Sequence, residues 1–167
     1  MISLTALLSV GTLHCWLAAA NAFNVPPGLL FAVAEVESSF RAEAMALAAN
    51  GTHSVGLMQI NSSWFPALER AGISETNLYD PCTNIHVGAW ILGQNISRYG
   101  ATWEAIGAYY AGPYDAKSYR WKLPLYRTYA GKVLKAWRRV NQTRSASDRV
   151  QPTSISRAGA QPAGRKP

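Results

Sequence analysis

A single acidic side chain, Glu37, falls inside the apolar stripe of an otherwise core-facing helix, and that placement constrains the chain more than any other feature. At about 100° per residue, Leu29, Leu30, Val33, Val36 and Phe40 gather on one arc, with Glu37 among them. A chain that folds this way turns a carboxyl group toward its own core. Burial disfavours the charged form, so the pKa of Glu37 should rise toward the range in which it can hand a proton to a leaving group. Glu35 projects from roughly the opposite side and is expected in solvent. The plainer alternative is a buried glutamate held in a structural ion pair.

With 167 residues the chain fits one domain, long enough to bury a core without metal or multiple crosslinks. Aromatic residues make up 11%, with six Trp and eight Tyr, against only 15% charged; this suits a globular protein with rings left over to line a groove. After Val140, five basic residues stand against one aspartate, so the tail carries more than half of the net charge of +7. Residues 141–167 hold no aromatic side chain, little periodicity and much Ser, Ala, Gly and Pro, and they read as a disordered basic tail. Such a tail is either simply solvated or attracts anionic lipid, wall polymer or nucleic acid through screened charge.

Residues 2–13 contain no charged side chain and have the length of the apolar core of an export signal, which sets residues 1–14 apart from the domain. The usual basic start is missing, and the run is too short for a secure membrane span unless it continues to Ala22. Ala20-Asn21-Ala22 offers a small-residue cleavage pattern, but a cut there would discard Cys15, one of only two cysteines. An exported domain favours a Cys15–Cys82 disulfide, with two reduced thiols as the alternative. If the pair forms, signal cleavage falls before Cys15 or does not occur. Closing that loop would restrict the unfolded chain by roughly 4 kcal/mol.

The remaining pattern is helical. Trp16, Ala19, Ala20 and Phe23 share a face, and Pro27 opens the helix that carries Glu37. Asn50-Gly51-Thr52 signals a turn. Asn61-Ser62-Ser63 is placed to cap a short helix containing Trp64, Phe65 and Leu68. Ile85, Gly88, Ala89, Leu92, Ile96 and Tyr99 mark a longer helix ending at Gly100, and Thr102 caps another reaching Ala111. Past Pro124, the residues Tyr126, Tyr129, Val133, Ala136, Trp137 and Val140 form a final amphipathic stripe. Residues 54–60 are the only segment expected to hold β-structure. His14, His53 and His86 lack metal-ligand spacing, so neither a metal nor another cofactor is expected.

Three segments in order, ESSF at 37–40, SVGLMQIN at 54–61 and AYYAG at 108–112, resemble the family 1, SLT-type lytic transglycosylases. The resemblance runs from about Cys15 to Val140 and implies one mainly α, lysozyme-like domain over residues 15–140 that cuts peptidoglycan. The FNVPPGLL opening and the DPCTNIHVGAWIL run look most like the small enzymes that accompany conjugation and type III or IV secretion machines. By this resemblance Glu37 is the catalytic acid. Ser38, Ser54, Met58, Gln59, Tyr109 and Tyr129 are the implied substrate-binding set, in which Ser38 also helps orient the acid, Tyr109 and Tyr129 offer hydroxyls near Glu37, and core filling is the alternative role for Met58. The family's Asn after the first tyrosine of the last segment is replaced here by Tyr110.

Cutting a glycosidic bond needs a proton on the departing oxygen and stabilisation of an oxocarbenium-like centre. SVGLMQIN contains no acid, so the second carboxylate of ordinary glycosidases is missing from the expected groove. The resemblance then implies assistance by the sugar's own N-acetyl group, attack by its C6 hydroxyl and a 1,6-anhydro product. It also implies a periplasmic monomer, or one held at the inner membrane by an uncleaved N-terminus, with glycan strands and a secretion or conjugation machine as partners. Nucleic acid is not expected as the primary ligand. The rival readings are a hydrolytic muramidase, a non-catalytic wall-binding assembly factor, and nucleic-acid binding through the tail.

Overall fold

Helical periodicity is realised over most of the chain. The computed structural model describes residues 10–149 except 114 and 116. In chain order these form α1 (Val10–Ala22), α2 (Pro27–Ser38), β1 (Met45–Leu47), β2 (His53–Val55), β3 (Ile60–Asn61), α3 (Phe65–Arg70), α4 (Pro81–Tyr99), α5 (Trp103–Ala111) and α6 (Tyr119–Arg149). The three strands make one antiparallel sheet in the order β1-β2-β3, with Ala46 opposite Ser54 and Val55 opposite Ile60. Among the described residues no single helix is long and apolar enough to cross a membrane.

The core is built by the apolar faces of α1, α2, α4 and α6. Trp16, Leu30, Val33, Ile85, Leu92 and Val133 are fully buried, each worth about 1.5–3 kcal/mol of transfer free energy before entropy is counted. Trp16 stacks on Phe31 with ring centroids 4.5 Å apart. Beside it Cys15 is disulfide-bonded to Cys82, which ties α1 to the start of α4 across a Cα–Cα distance of 5.3 Å. Both Cys15 and Trp16 are therefore part of the folded domain, which argues against a cut after Ala22. Residues 1–9 of the proposed export segment lie outside the described residues, and residues 10–14 belong to α1.

The structure departs from the sequence reading at four places. Helix α2 stops at Ser38 because Ser39 and Phe40 take left-handed backbone angles, φ 53° and 64°. Their amides return to Glu35 O and Ala34 O at 3.1 and 3.4 Å, a helix-closing motif made without glycine. Phe40 thus leaves the helical arc and packs on Trp16 and Phe31 from beyond the helix end. Strand β1 is new: its three residues are all exposed, so no alternation marks it, and only the Asn50-Gly51 turn betrays the hairpin. Gly51 sits there at φ 82°.

Helix α6 is the third departure. It begins at Tyr119, before Pro124, because Asp115 Oδ1 accepts the backbone N–H groups of Lys117 and Ser118 at 3.1 and 2.7 Å. Pro124 removes one intrahelical bond, and Arg120, whose carbonyl loses that donor, faces solvent. The same helix continues past Val140 to Arg149, into the segment read from sequence as the start of the tail. Residues 150–167 of the proposed disordered tail lie outside the described residues.

The fourth is Asn84, a fully buried polar residue that sequence reading passed over. Its Nδ2 donates to Val55 O at 3.0 Å and Leu78 O at 2.7 Å, and its Oδ1 accepts from Met58 N at 2.7 Å. One side chain on α4 therefore fixes the loop between β2 and β3. Gly56, at φ 79°, is required there, since a Cβ would fall on the Asn84 amide.

Candidate active site

Glu37 lies on the last turn of α2, at the floor of a groove of about 780 Å³. One wall is the sheet and its loops, represented by Leu47, Ser54 and Gln59; the other is α5 and the start of α6, represented by Tyr109, Tyr110 and Leu125. Among the described residues that line the groove, Glu37 is the single carboxylate.

Tyr129, from α6, donates its hydroxyl to Glu37 Oε1 at 2.5 Å. Burial raises the Glu37 pKa from 4.5 to about 7, against the opposing pull of the Tyr129 hydrogen bond and the Lys132 charge. The carboxyl is thus half-protonated near neutrality, with Oε1 occupied by the phenol and Oε2 left to exchange a proton. Both phenols beside it stay protonated: burial, reinforced by the Glu37 charge, lifts the pKa values of Tyr109 and Tyr129 well above 10. Tyr109 donates to Met58 O at 2.8 Å, locking α5 to the β2–β3 loop.

Glu35 points away, as expected, but is not simply solvated; it is half-buried in an ion pair with Arg139 of α6 at 2.5 Å. The ion-pair alternative considered for Glu37 therefore belongs to its neighbour. Arg139 and Lys132 of α6 each act on a glutamate of α2.

Gln59 is held with φ 49°, a strained angle for a residue with a side chain. Its Nε2 donates to Ala44 O at 3.1 Å and Gly56 O at 3.0 Å. Two carbonyl partners fix the amide orientation and leave Oε1 as its acceptor, on a residue that lines the groove. Ser54 Oγ accepts from Asn61 Nδ2 at 3.2 Å, which leaves its hydroxyl proton to be donated. Asn61 braces the turn and also caps the following turn through Ser63 N at 3.0 Å, as the sequence suggested.

Two expected substrate contacts are not in the groove. Met58 is fully buried, with its side chain laid over Gly88 of α4 where a Cβ would collide with it; it fills core, and its backbone carbonyl serves Tyr109. Ser38 is 3% exposed and donates to Leu57 O at 2.7 Å, so it ties the end of α2 to the loop instead of meeting a ligand. Glu37, Ser54, Gln59, Tyr109 and Tyr129 are the residues brought together. Asn84 is the positioning residue that was missed; it falls in line with Gly88 and Leu92 on the α4 stripe, so the test that found Glu37 would have found it.

A helical domain with a sheltered acid at the floor of an open groove has the form of an enzyme that protonates a bound ligand, and the family match assigns the class. Residues 14–122 match the model of the transglycosylase SLT domain, and the chain belongs to that family. It is 38% identical over 152 residues to the invasion protein IagB of Salmonella typhi, covering 89% of this chain and 91% of that one. Protein IpgF of Shigella flexneri is 40% identical over 104 residues, 62% of this chain and 68% of that one. Among solved structures, the lytic transglycosylase Slt of Pseudomonas aeruginosa, determined as an inactive glutamate-to-glutamine mutant, superposes with a TM-score of 0.62 at 26% identity. That match covers 80% of this chain and 24% of the Slt chain, so the protein spans about a quarter of that enzyme's length. Tyr129 and Lys132 lie beyond the stretch that the family model matches.

Proposed function

We propose that the protein cleaves the glycan strands of peptidoglycan between N-acetylmuramic acid and N-acetylglucosamine, leaving 1,6-anhydro-muramyl ends. The observation that carries this reading is Glu37: a carboxyl with a pKa of about 7 and no second carboxylate beside it in the described groove lining. An acid poised near the working pH is both a competent donor and a competent base. That the neighbouring Slt is inactive with a glutamate changed to glutamine supports the same kind of group at the centre of the chemistry.

In this mechanism Glu37 Oε2 protonates the departing glycosidic oxygen while the substrate's acetamido oxygen supports the anomeric carbon. The leaving strand departs with the proton. Ionised Glu37, steadied by the Tyr129 hydroxyl and by Lys132, then takes the proton of the C6 hydroxyl as that oxygen closes on the anomeric carbon. One C–O bond breaks and one forms, the carboxyl returns to its starting state, and no water is consumed. Gln59 Oε1 accepts the acetamido N–H, and Ser54 donates to a sugar oxygen.

Wall cutting places the active protein in the periplasm, where the Cys15–Cys82 disulfide is stable. Similarity to an invasion protein supports local opening of the wall for a transport or pilus apparatus. Digestion of purified glycan strands followed by mass spectrometry tests the reading. Anhydro ends, lighter than reducing ends by one water, are expected; reducing ends would assign hydrolysis instead.

A further inference from the structure

Tyr110 is 62% exposed, yet it is not an idle surface ring. Its ring lies parallel to that of Tyr129, with centroids 5.2 Å apart and planes 12° from each other. Tyr129 is the residue whose hydroxyl reaches Glu37 at 2.5 Å, and it is only 5% exposed. Tyr110 also lines the groove. Helix α5 therefore delivers two adjacent rings with different tasks: Tyr109 is fastened to the β2–β3 loop, and Tyr110 forms an outer cover over Tyr129.

We infer that Tyr110 is a positioning residue for the acid: its ring clamps the Tyr129 phenol against Glu37 and keeps water away from that pair. This rests on the reading of Glu37 as the proton donor. Stacked aromatic pairs contribute beyond the area they bury because their geometry is specific, so the cover also restrains the angle of the Tyr129 ring. Tyr110 stands where the resembled family carries Asn, and a planar ring does here what an amide cannot.

The direction of the effect follows from the groups that face Glu37. From α6 these are Tyr129 and Lys132, both of which favour its ionised form. From α5 it is Tyr109, held protonated. From the sheet wall come the neutral Ser54 and Gln59, and on α2 Glu35 is engaged with Arg139. Burial is the largest influence and opposes ionisation. Removing the Tyr110 ring both loosens the Tyr129 hydrogen bond and admits water; these act in opposite directions, and hydration, acting on the larger influence, prevails.

The test is a titration of the Glu37 carboxyl by carbon NMR in the full chain, assigned with E37Q, for wild type, Y110F and Y110A. A pH–rate profile of glycan cleavage accompanies it. Y110F keeps the ring and should titrate with the wild type. Y110A should titrate about one unit lower, its alkaline limb should move with the carboxyl, and cleavage at pH 7 should fall about fivefold. An unmoved titration in Y110A overturns the inference, as does Y110F behaving like Y110A. Because the titration reads the carboxyl directly, the two failures are distinguishable: a wild type without lytic activity sinks the enzymatic reading on which this inference rests, whereas an unmoved titration in an active enzyme sinks this inference alone.

Discussion

The two walls of the groove are made differently. On the helical side Tyr126 and Tyr129 are buried, each hydroxyl has a fixed partner, and the acid sits against Tyr129. On the sheet side Met45 and Leu47 are 60% and 80% exposed, and the strands are two or three residues long. The acid and its phenol partner are therefore held by the close-packed half of the molecule, while the wall proposed to receive the sugar is thin and anchored at its base. The main anchor is Asn84, which joins α4 to the β2–β3 loop through three hydrogen bonds counting Leu78 O, with Tyr109 and Ser38 adding one tie each from α5 and α2. A groove can be adaptable toward its ligand and rigid toward its proton when those duties fall on separate walls.

If Asn84 is the main anchor of the sheet wall, N84A should have the largest effect on stability. It strips partners from Val55 O, Leu78 O and Met58 N in the interior, and a loss of about 3–5 kcal/mol is expected in denaturant unfolding. A change under 1 kcal/mol would break the distinction between the walls.

The helical wall should show the opposite sign, a strain held for function. With a folded pKa of about 7 against 4.5 unfolded, Glu37 binds more protons in the native state between those values. Its burial therefore costs nothing below pH 4.5, costs progressively more as pH rises through that window, and reaches its full value above 7. E37Q should match the wild type in stability at pH 4 and exceed it by roughly 2–3 kcal/mol at pH 8. Thermal melts at the two pH values check this, and equal stability at both would show a solvated carboxyl.

Smaller still is the effect of the phenol. Y129F keeps the packing and deletes the donor to Oε1, so the Glu37 pKa should rise and the alkaline limb should move up. Cleavage should also slow about tenfold at the optimum, as expected for one charge-assisted hydrogen bond. This is opposite in direction to Y110A, and the two variants together separate the hydrogen bond from its cover. At the bottom of the range, L47A on the exposed strand should change stability by less than about 0.5 kcal/mol while altering substrate affinity. A cooperative loss of several kcal/mol would mean that β1 is part of the core.

The same contrast explains what was legible in the sequence. Helices announce themselves through a repeat sampled over many turns, so α2, α4, α5 and the stripe of α6 were readable, and with them the misplaced acid at Glu37. Strand β1 offers three exposed residues and no alternation, and no local pattern marks it. The start of α6 was hidden because Pro124 resembles a boundary, whereas the Asp115 cap lies further upstream. Met58 and Ser38 were assigned to the groove by motif neighbourhood; their burial follows from Gly88 and Leu57, which are distant in sequence. The Tyr110–Tyr129 stack and the Glu35–Arg139 pair likewise join α5 or α2 to α6, and one-dimensional periodicity carries no record of which helix meets which.

The central claim is that one sheltered carboxyl supplies and recovers the proton. Glycan release by E37Q, measured beside the wild type at pH 6 and with its folded state verified by circular dichroism, tests it most directly. The account predicts a rate lower by about a thousandfold with the fold intact. Release within a few-fold of the wild type would contradict it.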